Sequence, residues 1–152
     1  MQESSSTEAR PRRLRRLTLW GEPVRLWPVV AGLCFVLFPF DWLSDVWTPF
    51  RALFDQVFVS EVQHAIGHTI MFSLLGLLAL LTLPALRQRP LLYFGLMLLV
   101  GVAQEALQDL SRRLPPNIYE LRDLFFDVTG AVVAYLLVSA WHWLFLKKQR
   151  VS

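Results

Sequence analysis

Cysteine is nearly absent from this 152-residue chain, and charge is scarce. The one cysteine, Cys34, lies in an apolar run. That excludes an internal disulfide and a thiolate metal site, and leaves a small buried hydrophobe as its expected role. Charged residues make up 18%, against about 25% in a typical soluble protein, and hydrophobic residues 55%, against roughly 45–50%. Six Trp and 11 Phe add to the apolar excess, and the mean hydropathy is +0.43. A soluble core of this size cannot bury so much apolar surface, so the excess faces lipid. A disordered tail, a soluble globular enzyme and a nucleic-acid module are all excluded on this ground. The net charge of +3 does not restore nucleic acid as a partner, because the positive charges gather at the ends of apolar segments, as bilayer insertion requires.

Residues 1–16 are polar and carry Arg10, Arg12, Arg13, Arg15 and Arg16, the composition of a disordered basic arm. Residues 17–150 read as one membrane domain. The first apolar run covers 26–43; its long basic leader and the absence of a small-residue cleavage site mark an uncleaved helix, not a signal peptide. Residues 44–61 mix Trp47, Phe50, Phe54 and Phe58 with Asp45, Arg51 and Asp55 at three- and four-residue spacing. This predicts an amphipathic helix in the interface. Three further spans are expected at 65–86, 91–110 and 124–146, with a tight basic turn at 87–90 and a polar loop at 111–122. The expected fold is all-α, with four transmembrane helices plus the interfacial helix. Both termini then share a side with Arg87, Arg89, Lys147, Lys148 and Arg150, and the positive-inside rule makes that side cytoplasmic.

This topology brings scattered polar residues to one depth. Asp41/Asp45, His64/His68, Glu105/Asp109 and Asp123/Asp127 are i,i+4 pairs, each on one helix face, and all lie toward the outer end of their spans. Carboxylates within a span are costly, about 2.5–3.5 kcal/mol at the centre on insertion scales, and mark a functional site by default. Two of them close together supply an acid and a base. On this reading Glu105 is the acid or base, Asp127 its partner and His68 a proton relay. Gln108, Asp109, Asp123 and His64 line the pocket, and Arg113 and Arg122 clamp an anion, since a guanidinium fork matches a phosphate. A structural reading competes: Glu105 and Asp127 pair with Arg113, Arg122 or His68 and hold helices together, while Gln108 bonds across helices. A metal on His64 and His68 with the two carboxylates is the third alternative, though the protease zinc motif is absent. No metal and no other cofactor is expected. Gly76, Gly95, Gly101 and Gly130 read as close-packing contacts, and His142, between Trp141 and Trp143, as an interface anchor. No nucleophile-elbow pattern supports a serine hydrolase.

The run from His68 to Gly76 (HTIMFSLLG), the tetrad Glu105–Ala106–Leu107–Gln108 and the run from Arg122 to Ala131 (RDLFFDVTGA) resemble, in order, motifs of the VanZ-like family. The resemblance covers about 41–137. His64 and Ala65 stand where the family often has Asp-Lys, and Asp127 where it has asparagine, which makes this pocket more acidic. The resemblance implies a multi-pass protein of the bacterial inner membrane and cell envelope, in a family named for teicoplanin resistance. The expected function is to bind, and in one version to modify, an anionic lipid or lipid-linked glycan, with glycopeptide susceptibility as a consequence. The alternative is a non-catalytic accessory subunit that docks on another membrane protein in envelope or exopolysaccharide biogenesis.

Overall fold

The computed structural model describes residues 26–112 and 118–149. The expected basic arm at 1–16 and Arg113 lie outside the described residues. Every described element is a helix: α1 (Trp27–Val36), α2 (Phe40–Val46), α3 (Thr48–Val57), α4 (Glu61–Thr82), α5 (Pro90–Arg112) and α6 (Ile118–Gln149), with a 3-10 turn at Pro84–Gln88. At 1.5 Å per residue, α4 and α5 are each about 33–35 Å long and α6 about 48 Å. Among the described residues three helices are long and apolar enough to cross a membrane: α4, α5, and α6 over Glu120–Leu144. Helices α1 and α2 qualify together as one segment bent by 57°. Apolar side chains cover the outside of the bundle. Leu91 is 89% exposed and Leu110 75%, while the buried hydrophobic core centres on Val36, Phe72, Leu75, Leu80 and Tyr93. That inside-out surface is stable only against lipid or another apolar partner.

Proline sets the breaks. Pro39 lacks a backbone N–H and disfavours helical geometry at Phe38, so α1 stops and α2 restarts at an angle. Pro49 opens α3 and Pro84 closes α4. The amphipathic stretch expected at 44–61 is therefore not one helix. Its first residues finish α2, Trp47 takes an extended conformation, and α3 carries the amphipathic part. Helix α4 begins at Glu61, earlier than expected, because Ser60 and Gln63 form a capping box: Gln63 N–H donates to Ser60 Oγ at 3.4 Å and Ser60 N–H to Gln63 Oε1 at 2.9 Å. Helix α6 starts at Ile118, so Arg122 belongs to a helix and not to the loop expected at 111–122.

Helices α4 and α6 share the most intimate seam. A Cβ on Gly130 would overlap the Thr69 carbonyl oxygen and come within 2.9 Å of Ser73 N and 3.0 Å of Phe72 Cβ. Across this contact Ser73 Oγ–H donates to the Gly130 carbonyl at 3.1 Å. Gly76 opens a notch that the Tyr93 hydroxyl fills, donating to the Ala131 carbonyl at 2.9 Å and tying α5 to the seam. Helix α1 lies on α4, with Gly32 facing Leu75 and Leu78. Cys34, expected to be buried, is exposed on the outer side of α1. At the end where α4 stops, Arg87 Nε–H donates to the Leu80 carbonyl at 2.7 Å, capturing a helix-terminal acceptor. The Arg87 Nη1 atom lies 2.6 Å from His142 Nε2, so His142 is a helix-to-turn contact as well as an aromatic neighbour.

Gly130→Ala is expected to lower stability by about 1–3 kcal/mol, because the seam is closed by backbone atoms that cannot yield. Gly95→Ala, where a Cβ meets nothing within 4 Å, is expected to be neutral or slightly stabilising. Thermal unfolding of both variants in detergent checks the contrast; equal losses would refute it.

Candidate functional site

The site forms at the end of the bundle where α4 begins, α5 ends and α6 begins. His68 lies on the same face of α4 as Phe72 and Leu75, at offsets of four and seven residues, so the core face of the helix carries it inward. Glu105 follows Met97 and Gly101 on the buried face of α5, and Asp127 precedes Gly130, Ala131 and Ala134 on that of α6. The three side chains converge. His68 Nδ1 is 2.8 Å from Asp127 Oδ1 and 4.0 Å from Glu105 Oε1, and each residue places one ligating atom within 4.8 Å of the other two. Asp127 is wholly buried, and His68 and Glu105 are 7% and 8% exposed. Gly101 makes the room: a Cβ there would lie 2.9 Å from Asp127 Oδ2.

Electrostatically the cluster is short of positive charge. Asp127 Oδ2 and Glu105 Oε1 are buried without a hydrogen bond, as is Oε1 of neighbouring Gln104. The nearby guanidinium groups are engaged at the rim. Arg112 pairs with Asp41 at 2.6 Å, joining α5 to α2, and Arg122 pairs with Glu61 and, at 3.6 Å, with Asp123. Neither Glu105 nor Asp127 forms an ion pair with Lys or Arg among the described residues, leaving His68 as their ionic partner. A buried carboxyl pair with one imidazole can hold and pass protons or take up a cation.

The residues expected from the sequence divide accordingly. His68, Glu105 and Asp127 form one cluster. His64 shares a helix face with His68 by spacing but packs on Phe58, with ring centroids 5.0 Å apart, and is half-buried outside the cluster. Gln108 and Asp109 sit about a turn further along α5, half-buried. Asp123 and Arg122 form the rim. The pairings of Glu105 and Asp127 with Arg122 that the structural reading allowed do not form; Arg122 turns to Glu61 and Asp123 instead. Sequence reasoning did not assign Gln104, Gly101 or the Asp41–Arg112 pair to the site. The signal was present for Gly101, which lies four residues before Glu105 on the same face.

A second feature lies on the outer side of the α4–α6 seam. It is an open apolar groove walled by Ala65, Ile66, Ile70 and Phe126 and headed by Glu61 and Arg122.

In comparisons with known proteins, no family model, curated protein or solved structure matches this chain. The site's chemistry therefore rests on its own geometry.

Asp127→Ala strands the buried His68 ring and is expected to cost on the order of 1–3 kcal/mol; Asp127→Asn keeps a polar partner and is expected to cost less. Chemical or thermal unfolding in detergent ranks the two, and an alanine variant as stable as wild type would show that the 2.8 Å contact contributes nothing.

Proposed function

We propose that this chain is a VanZ-like protein of the bacterial cytoplasmic membrane whose His68–Glu105–Asp127 cluster serves an anionic lipid headgroup or lipid-linked glycan. The observation that carries the reading is the meeting of three buried ionisable side chains from three different membrane-length helices. Packing alone does not call for such a meeting, and each charged group in a span carries a heavy insertion cost. In this reading Glu105 exchanges a proton with the bound group, Asp127 holds the His68 ring, and His68 relays the proton. A phosphate competes with Glu61 for Arg122 at the rim. Hydrolysis or group transfer is the reaction class that an acid–base pair of this kind serves.

The same reading takes α1 and α2 as one broken span, for four in all. Gly32 lies level with Leu75 and Leu78, well along α4, whereas Asp41 reaches Arg112 at the far end of α5. These two contacts support a segment that climbs along the bundle between those two levels. Positive charge then places the 87–89 turn and both termini in the cytoplasm and the cluster toward the outer face. A second reading, an accessory subunit that docks on another membrane protein, draws on the His68–Asp127 contact, which also serves as a buried tie between α4 and α6.

Two measurements test the proposal. Membrane lipids and lipid-linked glycans are profiled in strains lacking the protein, carrying wild type, or carrying Glu105→Gln at equal abundance. One species is expected to change alike in the null and Gln strains, and a Gln profile equal to wild type would remove the acid–base role and favour the accessory subunit. A reporter active only outside the cytoplasm is expected to be silent when fused after residue 152 and active when placed in the 58–60 connection. The reverse pattern would invert the orientation.

A further inference from the structure

We infer that His68, Glu105 and Asp127 form a binding site for one divalent transition-metal ion of the zinc class. The inference names an occupant for the same cluster and rests on the proposed function only for what the site serves; with the ion bound, the three side chains act as ligands in place of the proton roles given above.

Three observations carry it. The donor set is one imidazole and two carboxylates from three helices, with ligating atoms no more than 4.8 Å apart. Bonds of about 2.0–2.2 Å at the tetrahedral angle set zinc ligands about 3.4 Å apart. The His68 contacts of 2.8 Å to Asp127 and 4.0 Å to Glu105 bracket that separation, and with the whole set within 4.8 Å, side-chain shifts of about 1 Å close the site. Next, Asp127 is fully buried and its Oδ2 has no hydrogen-bond partner; Glu105 Oε1 is buried in the same state. A buried carboxylate oxygen with no donor carries an uncompensated desolvation cost, which a cation removes. Finally, a dication would balance the two carboxyl groups, which metal binding takes in their ionised form. Two carboxylates face one imidazole, and the rim arginines are taken by Asp41, Glu61 and Asp123.

The ligand chemistry narrows the ion. An imidazole with two carboxylates suits Zn2+ and its first-row neighbours, whereas Mg2+ prefers an all-oxygen octahedral shell with several waters. Three protein ligands leave a fourth position open, as in metal sites that bind water or substrate. The set departs from the histidine pair that i,i+4 spacing suggests: His64 packs against Phe58 and supplies no ligand.

The test uses the full-length protein in detergent, without affinity-tag histidines, stripped with chelator and returned to ZnCl2, CoCl2 or MgCl2. About one Zn2+ per chain is expected by elemental analysis, together with a Zn2+-dependent rise in melting temperature of several degrees that Mg2+ does not reproduce. Bound Co2+ is expected to show visible absorption of a low-coordinate site. Asp127→Asn and Glu105→Gln are expected to weaken Zn2+ binding at least tenfold, while His142→Ala, at the opposite end of the bundle, binds as wild type does. If either carboxylate variant fails to fold, the wild-type Zn2+ stoichiometry and Co2+ spectrum decide. A stripped wild-type protein that takes up neither ion, or loss of binding in His142→Ala equal to that in Asp127→Asn, overturns the inference and leaves a proton-sharing cluster. The lipid profile reads independently: bound zinc with an unchanged profile keeps the metal site and removes the lipid reading, and a changed profile without zinc does the reverse.

Discussion

Helices α4 and α6 touch backbone to backbone at Gly130, and the register set there governs the rest of the bundle. With no side chain at that position, the Thr69 carbonyl and the Ser73 amide come up against α6 itself, and Ser73 closes the contact with a hydrogen bond to the Gly130 carbonyl. One turn before Gly130 on α6 stands Asp127, and one turn before Phe72 on α4 stands His68. Holding Gly130 against Phe72 therefore delivers the carboxylate to the ring at 2.8 Å. Close approach through small residues is a general device of membrane bundles, where apolar side chains gain little by leaving lipid for protein. Here it is combined with a second notch at Gly76, through which Tyr93 anchors α5. A third gap at Gly101 leaves space for the second oxygen of Asp127.

Charge is distributed around this frame in two layers. At the rim each described arginine meets a carboxylate from another helix: Arg112 with Asp41, and Arg122 with Glu61. These pairs are part-exposed, and their contribution to stability is modest. Deeper in, the balance stops. Glu105 and Asp127 share one imidazole, and lone pairs remain without donors. A bundle selected for stability alone has little use for such a set, since apolar residues of the same volume pack at least as well.

Much of this was legible in the residue order. Hydropathy located the three long helices, because a lipid-facing surface leaves continuous apolar runs. The i,i+4 pairs marked the polar faces, because a polar residue in a span is turned away from lipid. What the pattern did not carry was the choice among residues on one face. His64 and His68 are equivalent by spacing, yet Phe58 arrives from the connection after α3 and occupies the ring of the first. Arg122 looked available to the carboxylates below it, but Glu61, brought into α4 by the Ser60 cap, takes it instead. Both outcomes depend on connections whose path is set by Pro39, Pro49 and the capping box, local features that hydrophobic periodicity does not register. The long-range pair of Asp41 and Arg112 is of the same kind, invisible until α2 is bent toward α5.

That pair also bears on how the molecule is made. Asp41 is synthesised long before Arg112, and the bent α1–α2 segment offers two short helices with a carboxylate near their junction. Until Arg112 at the end of α5 is made, Asp41 lacks this partner, so the contact between α2 and α5 forms only after α3, α4 and α5 have been synthesised. The α4–α6 seam comes later still, since Asp127 and Gly130 are made after α5, and the bundle closes only when α6 has arrived.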